Sequence, residues 1–406
     1  MKRAFPRVGT SRAATAICSL AMVAAAVTAL AASASALSRP SVHHTVSIST
    51  RSFGTVAGQP VDLYTLSNGH MRVNITNYGG IVQAIYVPDR FGRMANVALG
   101  FRNLAGYVKN DVYPQPSGGS GTTYFGATIG RYANRIANGS FTLNGHTYTL
   151  PQNNGTNTLH GGPNAWNTKV WTATPSVKPG SASLKLTYTS PDGENGFPGT
   201  VVASVTYTLD TSNRLHIQYH AVTSAPTVIN LTNHTYFNLA GEGSGSVRAQ
   251  KLMINASHYT PVNANLIPTG VVAPVAGTPL DFRTMKPIGR DINSGFNQLV
   301  LAHGFDHNWV INRSGPGLVL AARALDPASG RELTTLTTEP GVQFYSGNFL
   351  AGELVGTSGR TYRQTDGFTL ETQHYPNSPN QPNFPSTVLN PGQSFNSTTI
   401  YAFSIG

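Results

Sequence analysis

Strict alternation of apolar and polar residues over short runs is the feature that most limits how this chain can fold. Residues 184–188, 203–209 and 215–221 all alternate in this way. Successive side chains of a strand point to opposite faces, so each run predicts a strand with one buried face. Asn144 and Gly145 lie between two further runs and are typical of a tight hairpin, because both tolerate positive φ. Pro and Gly interrupt nearly every interval, and no long stretch has a helical period. We therefore predict an all-β fold, a single large β-sandwich.

The N-terminus has the pattern of a secretory signal. Its basic start is followed by an apolar run over residues 13–32 and by Ala34-Ser35-Ala36, which fits an A-x-A cleavage site. We predict a signal peptide over residues 1–36, cleaved after Ala36, and one domain over 37–406. The protein is then expected to be secreted or periplasmic. An uncleaved anchor is the alternative, but no other long apolar run exists, so no membrane span is expected after cleavage.

Composition excludes several classes of function. Cys18 is the only cysteine and lies inside the predicted signal, so the mature chain would have no disulfide and no cysteine-based site. Removing the four basic residues of the signal lowers the formal net charge from +11 to +7. The remaining Lys and Arg are scattered without a basic block, so nucleic acid is not an expected partner.

Glu371 stands out as a candidate catalytic acid or base. From Gln364 to the C-terminus there is no Lys or Arg, and Asp366 is the only other acidic residue. The residue ends a run with strand character, and a segment rich in Pro and Asn follows. A carboxylate that is poor in counter-charge and framed by apolar residues has a raised pKa, which suits a general base. A structural pair with a distant Arg is the alternative explanation.

Further polar clusters interrupt the apolar pattern. They contain Asn134 and Arg135, His160 before two glycines, the segment from Asn230 to His234, Asp306, and Gln343. Alternation places Asn230, Thr232 and His234 on one face, which we expect to line a wet cleft because buried polar rows are costly. His titrates near neutrality, so His234 is a candidate proton donor. Taken singly, each cluster is more often structural.

Metal and serine chemistry lack support in the sequence. The histidines show no standard ligand spacing such as H-E-x-x-H, so no metal is predicted. No G-x-S-x-G motif is present, so a nucleophilic serine is not predicted.

Taken together, the clusters resemble the aldose 1-epimerase (galactose mutarotase) family. The resemblance is carried, in chain order, by FGATIGRYANRIANGSF, NTLHGGP, SPDGENGFPG, NLTNHTYFNL, GFDHN, PGVQFYSGNFL and LETQHYPNSPNQPNFPS. These motifs are spread over nearly the whole of residues 47–404. The resemblance implies a galactose mutarotase-like supersandwich with a sugar cleft, no cofactor, and a monosaccharide as the small-molecule partner.

The resemblance also implies roles for individual residues. Glu371 matches the general base and His234 the general acid, and the sugar-contacting positions match Asn134, Arg135, His160, Asp306 and Gln343. The implied reaction exchanges the α and β anomers of free aldohexoses such as glucose and galactose by ring opening and reclosure. A Glu with a raised pKa and a His titrating near neutrality would suit that reversible proton transfer.

Two segments depart from the family pattern, and three other functions stay open. The loop from Pro114 to Thr123 is long and rich in Gly, and residues 164–168 replace a common Phe-Asp-Lys run. Both bear on substrate preference rather than on chemistry. The alternatives are a secreted carbohydrate-binding module without turnover, a glycoside hydrolase using Asp306 and Glu371, and a sugar-phosphate epimerase, which export and the missing basic cluster disfavour.

Overall fold

The computed structural model describes residues 45–111 and 121–406. The predicted signal, residues 1–36, lies outside this part of the chain, as do residues 114–120 of the glycine-rich loop. Within the described ranges, no helix has the length and apolarity that crossing a membrane requires.

Strands account for most of the regular structure in the described ranges. In chain order they are β1 (Ser47–Val56), β2 (Gln59–Ser67), β3 (Arg72–Thr76), β4 (Ile81–Pro88), β5 (Met94–Asn96), β6 (Thr128–Ile129), β7 (Arg135–Ile136), β8 (Ser140–Leu143), β9 (His146–Thr149), β10 (Thr158–Leu159), β11 (Thr172–Lys178), β12 (Ser181–Ser190), β13 (Val201–Asp210), β14 (Arg214–Thr223), β15 (Thr227–Val228), β16 (Thr232–Asn233), β17 (Tyr236–Phe237), β18 (Lys251–Ile254), β19 (Ala256–Thr260), β20 (Ala273–Pro274), β21 (Lys286–Pro287), β22 (Asp306–Ile311), β23 (Val319–Leu325), β24 (Arg331–Thr337), β25 (Gly341–Tyr345), β26 (Ala351–Val355), β27 (Thr361–Arg363), β28 (Phe368–Gln373), β29 (Val388–Leu389) and β30 (Phe395–Ile405). The α-helices are α1 (Leu104–Asn110) and α2 (Asn297–Ala302).

The alternating runs form the predicted strands. Residues 184–188 lie in β12, and the other two runs lie in β13 and β14, where buried and more exposed side chains alternate. The predicted hairpin joins β8 to β9, with φ values of 51° at Asn144 and 80° at Gly145. Positive φ at both turn residues matches the right-handed twist of the two strands.

Three larger sheets form the body of the fold. Among the described residues they have five, nine and six strands, ordered β1-β2-β3-β4-β5, β11-β12-β13-β14-β30-β24-β23-β18-β21 and β17-β28-β25-β22-β19-β20. One continuous apolar cluster joins all three, through side chains such as Ile75, Val205 and Phe344. The all-β sandwich predicted from the sequence is therefore confirmed.

The six-stranded sheet turns one face toward this core. Leu370 and Phe344 are fully buried there, and the Tyr401 hydroxyl on β30 donates to the Leu370 carbonyl oxygen at 3.2 Å. Full burial of one such side chain contributes about 1.5–3 kcal/mol. Because strand side chains alternate, the neighbouring residues of β25 and β28 must point to the opposite face of the sheet.

Candidate active site

The opposite face of the six-stranded sheet is polar. Glu371 on β28 is paired in register with Gln343 on β25, and Asp306 on β22 is paired with Tyr345 on β25. Cross-strand partners lie side by side on one face, so three adjacent strands bring these side chains together. The sequence predicted that Glu371 ends its strand, which was wrong. β28 continues through Gln373, because its backbone keeps pairing with β25.

Two short strands and their loops bring further predicted residues to this face. β7 pairs with β10 so that Arg135 lies opposite Leu159, and His160 follows immediately. Asn134 and His160 both have positive φ, at 63° and 52°. Gly161 permits the close approach, because a Cβ there would lie 2.3 Å from the carbonyl oxygen of Gly130.

Arg131 anchors this segment without entering the site. Its buried guanidinium donates to the Ser190 hydroxyl and to the carbonyl oxygens of Pro191, Pro198 and Gly199, at 2.6–2.9 Å. A buried guanidinium must find partners for its donors, and these bonds fix the chain just before Asn134 and Arg135. We conclude that Arg131 is a structural member of its motif.

A cavity collects most of the predicted site residues. Asn134, Arg135, His160, His234, Asp306 and Glu371 all line it. Gln343 does not appear among the lining residues. It lies against Asp306, where its Nε2 donates to Asp306 Oδ1 at 2.6 Å. Gln343 therefore orients a lining residue.

Glu371 is almost completely buried at the base of the cavity. Its Oε1 accepts a hydrogen bond from the Thr369 hydroxyl at 2.8 Å and lies 3.5 Å from His234 Nε2. Burial raises the pKa of Glu371 to about 8. The hydrogen bond from Thr369 and the charge of Arg135 act in the opposite direction, whereas the negative charge of Asp306 raises the pKa further. The raised pKa that the sequence predicted agrees with this environment.

His234 differs from its predicted behaviour. Burial lowers the pKa of His234 to about 3, so the free imidazole is neutral at physiological pH rather than close to its midpoint. The Nδ1 atom is buried and has no hydrogen-bond partner among the described residues. The prediction of a near-neutral pKa was wrong because the local sequence carries no information on how deeply the fold buries the ring.

His160 has a defined tautomer. The backbone N–H of Asn134 donates to His160 Nδ1 at 3.2 Å, so the neutral ring carries its proton on Nε2. Burial, reinforced by His234 and Arg135, holds the pKa of His160 well below its ordinary value. His160 therefore offers a hydrogen-bond donor rather than a charge.

The same tautomer bears on metal binding. Donor atoms of His160, His234 and Glu371 lie within 4.8 Å of one another, a spacing that a metal ion could bridge. However, a nitrogen ligand must present a lone pair, and His160 Nε2 carries a proton. Moving that proton to Nδ1 would set it against the Asn134 N–H. This donor set suits hydroxyl recognition better than metal ligation.

Arg135 and Asp306 lie next to each other in the lining of the cavity. Arg135 Nη1 lies 3.8 Å from Asp306 Oδ2, and Arg135 Nε donates to Asn154 Oδ1 at 2.9 Å. Burial raises the pKa of Asp306, whereas Arg135 and Gln343 favour its charged form. A fixed guanidinium and a carboxylate side by side provide both donors and acceptors for vicinal hydroxyl groups.

The predicted polar row from Asn230 to His234 is only partly correct. Of Asn230, Thr232 and His234, only His234 lines the cavity. Asn230 instead donates to the carbonyl oxygens of Ala133 and His374. Its side-chain amide is thus satisfied by backbone groups. The regular strand spans only Thr232 and Asn233, so strand alternation does not extend from Asn230 to His234.

Sequence reasoning missed several aromatic residues of the cavity. Tyr124, Tyr236 and Tyr345 line it, and the Tyr124 ring lies 4.6 Å from that of His160. A period of two residues, counted from His234 and from Gln343, leads to Tyr236 and Tyr345. That pattern was available in the sequence, whereas no local pattern singles out Tyr124.

The chain is similar to known proteins over most of its length. The family model described as aldose 1-epimerase matches residues 62–402. A galactose mutarotase of Rattus norvegicus is 43% identical over 362 residues, covering 89% of this chain and 99% of that protein. An aldose 1-epimerase of Escherichia coli K12 is 36% identical over 349 residues, covering 85% and 96%. The crystal structure of a galactose 1-epimerase from Lactobacillus acidophilus aligns with a TM-score of 0.76 and 30% identity, covering 89% of this chain and all of that one.

Proposed function

Because the chain belongs to the aldose 1-epimerase family, we propose that it interconverts the α and β anomers of free aldohexoses such as glucose and galactose. One observation carries the proposed mechanism. The Glu371 carboxylate and the His234 imidazole face each other at 3.5 Å in a buried cavity. The hydroxyl and the ring oxygen of a hemiacetal are bonded to the same carbon, so an acid and a base that lie close together can reach both of them.

Glu371 and His234 would transfer the two protons of the reaction. Glu371 removes the proton from the C1 hydroxyl while His234 donates a proton to the ring oxygen, and the bond between C1 and that oxygen breaks. The resulting aldehyde rotates about C1–C2 and closes on its other face, with both proton transfers reversed. Acid and base regain their starting states, so the cycle needs no other reactant.

The buried environment gives this pair one mobile proton at neutral pH. Burial favours the neutral forms of both groups, with Glu371 protonated and His234 unprotonated. The state with a carboxylate and an imidazolium has the same total number of protons and differs only in the position of one of them. Donation of the substrate hydroxyl to Glu371 would favour this charged state, because it stabilises the carboxylate.

The remaining lining residues would hold the sugar. Arg135 and Asp306, side by side in the cavity lining, are suited to vicinal hydroxyl groups. His160 would donate from Nε2, since Asn134 occupies its other nitrogen. An ordered set of donors of this kind also stabilises negative charge on an oxygen during ring opening.

No observation favours the alternatives. Asp306 is engaged by Arg135 and Gln343, whereas the partner of Glu371 is His234, so the two carboxylates do not form an isolated acid–base pair. A hydrolase would release nitrophenol from nitrophenyl glycosides, and a binding module would take up sugar without exchanging its anomers. Polarimetry of freshly dissolved α-D-glucose tests the proposal directly, because an epimerase accelerates the decay of rotation and neither alternative does.

Export is a separate part of the proposal. The basic start, apolar run and Ala34-Ser35-Ala36 box support cleavage after Ala36. The full chain, expressed in a host with a general secretion system, should yield an extracytoplasmic protein whose N-terminus is Leu37. Recovery of the uncleaved chain in the membrane fraction would refute it.

A further inference from the structure

The hydroxyl group of Thr369 is joined directly to the proposed base. Thr369 and Glu371 are two residues apart on β28, so both side chains point to the polar face of the sheet, while Leu370 between them points to the core. The Thr369 side chain is fully buried, and its hydroxyl donates to Glu371 Oε1 at 2.8 Å. Thr369 is not among the residues that line the catalytic cavity. Its hydroxyl therefore acts on the carboxylate rather than on a sugar.

The position of this hydroxyl is fixed by the sheet. Thr369 pairs with Tyr236 on β17 and with Tyr345 on β25, so its backbone is held on both sides. A threonine side chain is branched at Cβ and has few rotamers open to it in a strand. A hydroxyl has one proton to donate, and Thr369 directs it at Glu371. The carboxylate thus has a rigid neutral donor on one of its two oxygens.

The two carboxylate oxygens of Glu371 differ in their surroundings. Oε1 accepts from Thr369 and lies 3.5 Å from His234 Nε2. Oε2 is buried and has no hydrogen-bond partner among the described residues. A buried carboxylate oxygen without a donor is costly, so a ligand that donates to Oε2 would be favoured. The C1 hydroxyl of an aldose is such a donor.

Several charged and titratable groups also surround Glu371. Arg135 and the bond from Thr369 favour its charged form, whereas burial and the charge of Asp306 oppose that form. The other titratable groups near the carboxylate are His160, His234, Tyr124, Tyr236, Tyr345 and Tyr401. All of these groups are kept when Thr369 alone is changed, so a change in pH dependence would report on the hydroxyl.

We propose that Thr369 is a positioning residue that holds Glu371 through Oε1, so that Oε2 is the oxygen that takes the proton of the C1 hydroxyl. In that step the O–H bond of the C1 hydroxyl breaks and an O–H bond forms at Oε2. The ring oxygen receives its proton from His234 as its bond to C1 breaks. This inference rests on the proposed epimerase function and assigns the two oxygens of its base.

Three variants separate the hydroxyl from the shape of the side chain. Thr369→Val removes the hydroxyl at nearly constant shape, and Thr369→Ser keeps it. Thr335→Val is the matched control, because Thr335 on β24 is also fully buried and its hydroxyl has no partner among the described residues. Polarimetry of freshly dissolved α-D-glucose from pH 6 to pH 10, corrected for the buffer rate, would give kcat and KM for each protein.

Loss of the hydroxyl should affect kcat rather than KM. With Thr369→Val, kcat at pH 7 should fall about tenfold, because the active carboxylate loses a hydrogen bond to a charged group. KM should stay within about twofold, as expected for a residue that acts through the base rather than on the sugar. The fall of kcat/KM at high pH should move upward by about one pH unit, because a bond to the charged form lowers the pKa of an acid. Thr369→Ser should restore both values, and Thr335→Val should match wild type.

Other kinetic outcomes would overturn the proposal. Unchanged kcat and pH dependence in Thr369→Val would mean that the hydroxyl does not act on the base. Equal losses in Thr369→Ser and Thr369→Val would mean that packing, not the hydroxyl, matters at this position. If wild type does not accelerate mutarotation of glucose, the proposed function fails first, and the role of Thr369 in it fails as a consequence.

A second measurement needs no variant. A crystal structure of the wild-type protein with D-galactose should place the C1 hydroxyl oxygen within about 3.2 Å of Glu371 Oε2, with Thr369 still bonded to Oε1. A C1 hydroxyl bonded to Oε1 instead, with Thr369 displaced, would overturn the assignment of the two oxygens even if wild type is an active epimerase.

Discussion

Replacing Glu371 with Gln should stabilise the protein as the pH rises, even though it removes the proposed base. In the folded state, burial raises the pKa of Glu371 from its ordinary value of 4.5 to about 8. Between these two values the unfolded chain has lost this proton while the folded chain keeps it. The free energy of unfolding must then fall as pH increases, because the unfolded state binds fewer protons.

The size of the effect follows from the width of that window. Each pH unit within it lowers the stability of wild type by about 1.4 kcal/mol through this group, at most roughly 5 kcal/mol in total. The glutamine side chain of the variant has nearly the same shape and no titratable proton, so its contribution is independent of pH. The stability difference between Glu371→Gln and wild type should therefore grow in favour of the variant from pH 5 to pH 9.

Urea unfolding of both proteins at pH 5, 7 and 9, followed by tryptophan fluorescence, measures this difference. Other titrating groups are shared, so they cancel in the comparison. A flat difference for Glu371→Gln would mean that burial does not perturb Glu371. A difference that shifts in favour of wild type would mean that Arg135 and His234 hold its pKa below 4.5.

Further predictions concern catalysis and the scaffold. Values of kcat/KM should be constant through neutrality and fall about tenfold per pH unit above about 8, where the Glu371–His234 pair loses its shared proton, and a rise through pH 8 would contradict this. His234→Asn should lower kcat by ~10²–10⁴ with little change in KM, and unaltered kcat would remove His234 as the acid. Arg135→Ala should raise KM at least about tenfold, and unchanged steady-state kinetics would place Arg135 outside the site. Arg131→Met should lower the free energy of unfolding by roughly 3 kcal/mol in urea titrations, because the carbonyl oxygens that accept from Arg131 lose their donors. A decrease below about 1 kcal/mol would refute the anchoring role of Arg131.

The sequence predicted the fold class because the relevant signals are local. Alternation in residues 203–209 and positive-φ residues at Asn144-Gly145 are both properties of neighbouring residues, and both appear in the structure as expected. The order of strands within a sheet is not a property of neighbouring residues. The pairing of β28 with β25, and of β25 with β22, depends on long-range packing that no local period encodes.

The sequence predicted which residues lie in the site better than it predicted their positions and pKa values. Family resemblance selected Asn134 and Asp306 as site residues, and the structure places both in one cavity. The continuation of β28 past Glu371, the position of Gln343 behind Asp306 and the low pKa of His234 depend on register and burial. These are tertiary properties, so they could only be read from the assembled sheets.

Polarimetry with wild type and Glu371→Gln tests the epimerase function and the role of Glu371 together. Both mature proteins would be added to freshly dissolved α-D-glucose and α-D-galactose, after circular dichroism has confirmed that the variant is folded. We expect rapid decay of rotation with wild type, and decay close to the buffer rate with Glu371→Gln. Full acceleration by the folded variant would contradict the assignment of Glu371 as the base, and no acceleration by wild type with either sugar would contradict the epimerase function.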